Sequence, residues 1–206
     1  MKKLTLVFFI FASLASISQT DSIPYSHDFE FKEGIYFTFY QFKHNHPIPV
    51  SSIISDYPKS QLDFLTEVTS HKIIEFKDDF GIIQKAETSL LWGYCRNRSV
   101  YINFNNDFNK VNVMGTLFYF TASVTCTIGV PDPMGGTTTY DELRQFVYDT
   151  PSNKVFDFNV KNMEIILKND DELYTKFMGM KKHDKPDAIF ILLRKYNEKH
   201  PFYIFK

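Results

Sequence analysis

The sequence predicts an α+β fold: an antiparallel β-meander, a sandwich- or barrel-like sheet, packed with C-terminal helices. Three observations carry this. Between Thr88 and Val130 apolar and polar residues alternate, and the runs are broken by Arg96-Asn97-Arg98-Ser99 and Asn105-Asn106-Asp107. Asn and Asp suit such breaks because they tolerate left-handed backbone and bond their own main chain. From Asn159 the period changes, and Val160, Met163 and Leu167 recur at three and four, the helical spacing. The chain also holds 22 Phe and 12 Tyr, residues that favour strands. Strands first and helices afterwards argue against a doubly wound parallel sheet.

Taken in order, residues 19–31 are polar and read as loose chain. Gly34 to Phe37 reads as a short strand. Thr38-Phe39-Tyr40-Gln41 has the form of a capping box, so a short helix begins there with Phe39 and Phe42 on one face. Pro47 ends it. Ile48 to Lys59, with two prolines, is an extended connector. Leu62, Phe64 and Thr66 alternate with Asp63 and Leu65 and predict a strand. His71 to Lys77 predicts another, with Ile74 and Phe76 facing one way and Ile73 and Glu75 the other, and Ile82 to Lys85 returns after an Asp78–Gly81 turn. In the central stretch Leu90, Trp92 and Tyr94 share a face. Val100, Ile102 and Phe104 share the next, and a long strand follows from Val111 with Gly115 inside it, where a bulge or a close backbone approach is expected. Trp92 is expected to be buried between this meander and the C-terminal helices. Leu143–Asp149 and Lys154–Phe158 pair across Thr150–Asn153. Of three helices beyond Asn159, the second is capped by Asn169 with Glu172 as its capping-box partner, and its stripe is Leu173, Phe177 and Met180. The third starts at Asp184–Asp187 and buries Ile189, Leu192, Leu193 and Tyr196. Pro201–Phe205 is a last short strand.

The first 18 residues have the pattern of a secretory signal peptide: Lys2 and Lys3, an apolar run from Leu4 to Leu14, then small residues. Cleavage is expected before Gln19, with Ser13-Leu14-Ala15 as the second choice. No cysteine follows the run to take a lipid, and the run is short for a membrane span, so the mature chain is expected to carry no transmembrane segment. Residues 19–206 then form one α+β domain, strand-rich over 34–158 and helical over 159–200. Without Lys2 and Lys3, 21 basic side chains face 24 acidic ones, a formal charge of −3. No basic stripe stands out, so nothing points to nucleic acid.

Three stretches resemble an uncharacterised family of secreted proteins common in Bacteroidetes. They are GIYFTFYQFKHNHP (34–47), LLWGYCRNRSVYINF (90–104), and DDELYTKF (170–177) followed by LLRKYNEKHPFY (192–203). The resemblance spans most of the mature chain. It implies an exported protein, periplasmic or secreted, and assigns no catalytic residue.

Candidate chemistry is sparse. His44 and His46 lie two apart at a helix end, where residues at that spacing do not share a face, and no third ligand stands at a recognised spacing. Cys95 and Cys126 are the two cysteines, and an oxidising compartment permits a bridge between them. The alternative is two unbridged thiols acting as small apolar groups. Neither sits in a thiol-protease signature. Gly135-Gly136-Thr137-Thr138-Thr139 lacks the lysine of a phosphate-binding loop. The oxygen-rich run from Asn103 to Asn109 lacks the spacing of a calcium loop. Asn97-Arg98-Ser99 has the form of a glycosylation sequon but reads as turn chemistry. Asp78-Asp79 falls in a turn and Asp170-Asp171 at a helix start. No catalytic, cofactor or metal residue is therefore assigned. The expectation is a non-enzymatic interaction or binding module of the cell envelope, its partner an envelope protein or an apolar ligand. The alternatives are a hydrolase assembled only in three dimensions and a carrier of an apolar ligand.

Overall fold

The computed structural model describes residues 22–128 and 138–205. The expected leader and Gly135-Gly136-Thr137 lie outside the described residues. In chain order the elements are β1 (Ser22–Pro24), β2 (Gly34–Tyr36), α1 (Phe39–Lys43), β3 (Ile48–Pro49), β4 (Ile53–Ile54), α2 (Phe64–Ser70), β5 (Ile73–Lys77) and β6 (Ile83–Glu87). Then come β7 (Gly93–Arg96), β8 (Ser99–Phe104), β9 (Asp107–Val113), β10 (Leu117–Ile128), β11 (Thr138–Asp149) and β12 (Lys154–Asp157). The chain closes with α3 (Val160–Leu167), α4 (Asp171–Met178), α5 (Lys185–Lys199) and β13 (Tyr203–Phe205).

The fold is α+β and its sheets are antiparallel. Eight strands in the order β12-β11-β10-β9-β8-β7-β2-β3 make one sheet that curls into a half-barrel. Alternation along each strand decides what fills it. Tyr36, Cys95, Val100, Ile102, Phe118, Phe120, Phe146 and Tyr148 all point to one face, and their side chains meet in a single cluster. That face is the inside of the curl, since strands far apart in the sheet share one core. It is filled by Phe31, by Phe42 from α1, and by Phe202 and Ile204 near the C-terminus. The opposite face diverges and carries two separate clusters. Leu117 and Val147 pack under α3–α5, against Met163, Leu167, Phe177, Leu192 and Leu193. Ile35 and Tyr94 pack under α2 and a second sheet, in the order β4-β5-β6, through Phe64, Leu65, Ile53 and Ile74. Each fully buried Phe or Leu in these layers contributes about 1.5–3 kcal/mol.

Many local expectations hold. Thr38 caps α1, accepting from the Gln41 N–H at 3.1 Å. The return half of the box reaches one residue further, Gln41 Oε1 accepting from the Phe37 N–H at 2.7 Å. Asn97 and Arg98, then Asn105 and Asn106, have φ between +48° and +66° and make the two-residue turns between β7, β8 and β9. The buried face of α5 is Ile189, Leu192, Leu193 and Tyr196.

Five expectations need correction. Residues 62–66 do not form a strand: Phe64, Leu65, Val68 and Thr69 are buried at helical spacing on α2. The single strand from Val111 is two, β9 and β10, and Gly115 lies at the corner between them. A Cβ on Gly115 would overlap the Asn197 side chain, so close approach is what glycine provides there. The bulge sits elsewhere, where Tyr119 pairs with Val113 and Phe120 with Val111. Ser22–Pro24 is no loose chain but pairs with Tyr203–Phe205. The cap of α4 is Asp170, one residue beyond Asn169, accepting from the Leu173 N–H at 3.0 Å. Finally, Leu90 is exposed in a short 3-10 turn, and Trp92 and Tyr94 serve opposite faces. Trp92 is half-buried inside the curl against Phe42, away from the C-terminal helices.

Candidate functional site

A cleft lies where the last turn of α5 meets the β9–β10 corner. Asn197 clamps that corner: its Oδ1 accepts from the Leu117 N–H and its Nδ2 donates to the Leu117 carbonyl, both at 2.8 Å. Thr116 Oγ1 donates to the His200 carbonyl, and the Tyr25 N–H donates to the Phe202 carbonyl at 2.7 Å. Between these seams opens a cleft of about 440 Å³ lined by Tyr25, His27, Met114, Arg194, Glu198 and Phe202. Its floor is apolar and its rim is charged. Arg194 and Glu198, one helical turn apart, form no ion pair with each other. The volume suits a small ligand, but its best-placed amide, Asn197, is spent on the clamp.

The densest charge cluster lies nearby, between the start of α4 and the end of α5. Asp170, its side chain 4% exposed, accepts from Lys199 Nζ at 2.8 Å and faces His200 Nε2 at 2.9 Å. Lys199 also reaches Glu172 at 2.8 Å. The Lys199 ammonium, then the Leu173 N–H and His200, hold the Asp170 carboxyl well below its usual range. An Asp–His pair is the start of a hydrolytic site, yet among the described residues no hydroxyl or thiol bonds to the His200 ring. The cluster ties two helix ends together.

The residues singled out in the sequence are not brought together. His44 bonds the Tyr40 carbonyl and stacks on Phe205 at 4.7 Å, and no group of three or more His, Cys, Asp or Glu able to hold a metal occurs among the described residues. Cys95 and Cys126 are both free. Cys95 is fully buried, and burial, with Glu33 adding to it, pushes its thiol up to about 12. A thiol so hard to ionise is no nucleophile. Cys126 lies on the outer part of β10, with Arg144 Nη2 at 3.2 Å from its sulfur. Asp78 closes its own loop, accepting from the Phe80 and Ile82 N–H groups and from Gln84.

What the sequence did not signal is the length of the β10–β11 hairpin. Twelve residue pairs join it, from Leu117↔Asp149 to Ile128↔Thr138. β12 covers only Phe146–Asp149, so on that side the edge of β11 from Thr138 to Arg144 has no partner strand among the described residues. All eight residues from Thr138 to Gln145 are exposed, Leu143 at 73%. Thr138 and Thr139, the end of the glycine-threonine run, begin this strand. No family model, curated protein or solved structure matches the chain, so the fold and these surfaces are what its function must be read from.

Proposed function

We propose that the protein is an exported, non-enzymatic interaction module that presents the β10–β11 ribbon to a partner in the cell envelope. The observation that carries this reading is the contrast between the two ends of that ribbon. At its base Phe118, Phe120, Phe146 and Tyr148 are packed into the aromatic interior. Along its outer half β11 exposes every residue on both faces. A rigid base with an exposed extension suits recognition better than catalysis, because recognition elements work best when preorganised. The apolar-carrier reading has less support: the inside of the curl is occupied by the chain's own aromatic rings, and the cleft described above opens to solvent. Export belongs to the same proposal, supported by the N-terminal pattern and by the resemblance to secreted Bacteroidetes proteins. No helix among the described residues is long and apolar enough to cross a membrane.

The test is to shorten the ribbon. Ala122 pairs with Arg144, so residues 123–143 are replaced by an Asn-Gly turn, which suits a two-residue hairpin. The shortened protein should melt cooperatively and lose its association with the envelope fraction. Undiminished association by a folded, shortened protein would refute the proposal.

A further inference from the structure

We propose that two copies of this chain join along β6, antiparallel about a two-fold axis at Ala86, so that their three-stranded sheets become one of six strands. This surface is separate from the ribbon, and either proposal can fail without the other. β6 is the open edge of the β4-β5-β6 sheet. Its register fixes which backbone groups face outward. The Asp78 N–H donates to the Ile82 carbonyl and the Thr88 N–H to the Lys72 carbonyl. Even-numbered residues of β6 therefore bond to β5, and the outward N–H and C=O groups belong to Ile83, Lys85 and Glu87. Of these groups the Glu87 carbonyl already accepts the first bond of the Thr88–Leu90 turn, and the others have no partner among the described residues. All three side chains are exposed as well.

A run of unpaired backbone groups accepts another extended strand, and the side chains decide which. With the axis at Ala86, Lys85 lies opposite Glu87 of the second copy and Glu87 lies opposite its Lys85. Those are the residues whose backbone groups point outward, so the ladder and the charge pairing share one register. Lys85 already pairs with Glu75 on the neighbouring strand, so the charges alternate in sign across the joined sheet. Beyond the charged pairs, Ile83, 56% exposed, comes to lie beside the Ser89–Leu90 turn of the second copy, where Leu90 is 68% exposed. The other long open edge behaves differently. Gln145 O accepts from the Phe158 N–H, so Thr139, Asp141 and Leu143 point outward on β11. The register that spans its open length is centred on Asp141 and sets that carboxylate against its own copy, which is unfavourable. On β6 the register about Ala86 sets opposite charges against each other twice.

Sedimentation velocity on the chain from residue 19, from micromolar to millimolar concentration, should show a reversible monomer–dimer equilibrium. Lys85→Glu and Glu87→Lys each place like charges opposite one another twice, and each should weaken the dimer about tenfold or more. An equimolar mixture of the two variants should associate again, because each supplies the charge that the other lacks. Lys85→Pro removes an outward N–H, which an edge strand tolerates, together with the Lys85 ammonium, and should also give a monomer; thermal melts check that each variant is folded. A wild-type monomer at every concentration would overturn the proposal and leave the edge to a different chain. So would a dimer indifferent to the single reversals, or a mixture no tighter than its components.

Discussion

Trp92 lies against Phe42 with ring centroids 4.5 Å apart, and Phe39 and Tyr148 flank it. Replacing it with alanine opens the middle of the aromatic interior. Trp92→Ala should cost about 3 kcal/mol in urea unfolding; a loss under about 1 kcal/mol would mean that the indole is a surface group. The two thiols differ more sharply. A thiol reagent should label Cys126 in the native protein and Cys95 only in denaturant, since Cys95 is buried and donates to the Phe31 carbonyl. Labelling of both at one rate would contradict this burial. Asp170 gives a pH signature. Its folded value is depressed, so the fold favours the ionised form. That stabilisation is present above the unfolded value of about 3.9 and is lost as pH falls through the folded value. Asp170→Asn should lower stability at neutral pH and flatten the acid limb of a melting-temperature profile; an unchanged limb would remove Asp170 from the account. At this scale the sequence was legible where the partner was local, as with Thr38 and Gln41. It was silent on Asn197, whose partner Leu117 lies 80 residues away in the chain.

Elements with a clear period were readable and elements with two periods were not. α5 shows its stripe over about two turns, and each of its four expected core residues is buried. Residues 62–66 satisfy strand alternation, and only the extension to Val68 and Thr69 reveals the helix. Gly115 left a bulge and a close approach both open in the sequence, and only the packing of Asn197, 82 residues further along the chain, decides for the approach. The C-terminal helices cover Leu117 and Val147 on the outer face of the sheet. Ending the chain at Phe158 should therefore give insoluble protein in a solubility assay. A soluble fragment 19–158 with a cooperative melt would show that the sheet does not depend on them.

Across the molecule, stability should be graded along the long hairpin. Phe146–Tyr148 are buried between two clusters, whereas Thr138–Arg144 lie at an open edge. Amide exchange should be slowest at the first and fastest at the outward groups of Thr139, Asp141 and Leu143. Uniform protection along β11 would mean that something covers the ribbon in solution. The sequence indicated the α+β class because class follows from the order of periods. It did not indicate that one sheet face feeds a single core while the other feeds two, since that division depends on how far the sheet curls.

The pairing of β1 with β13 has a kinetic consequence. Ser22 sits opposite Phe205, and Phe39 and Phe42 pack on Phe202. The aromatic interior is thus completed by segments far apart in the sequence. Contacts that distant are slow to form, because the loop they close is long. A ribosome delivers the Phe202–Phe205 stretch long after Phe39 and Phe42, so the interior cannot seal before that stretch emerges, and the nascent chain stays loosely packed until then.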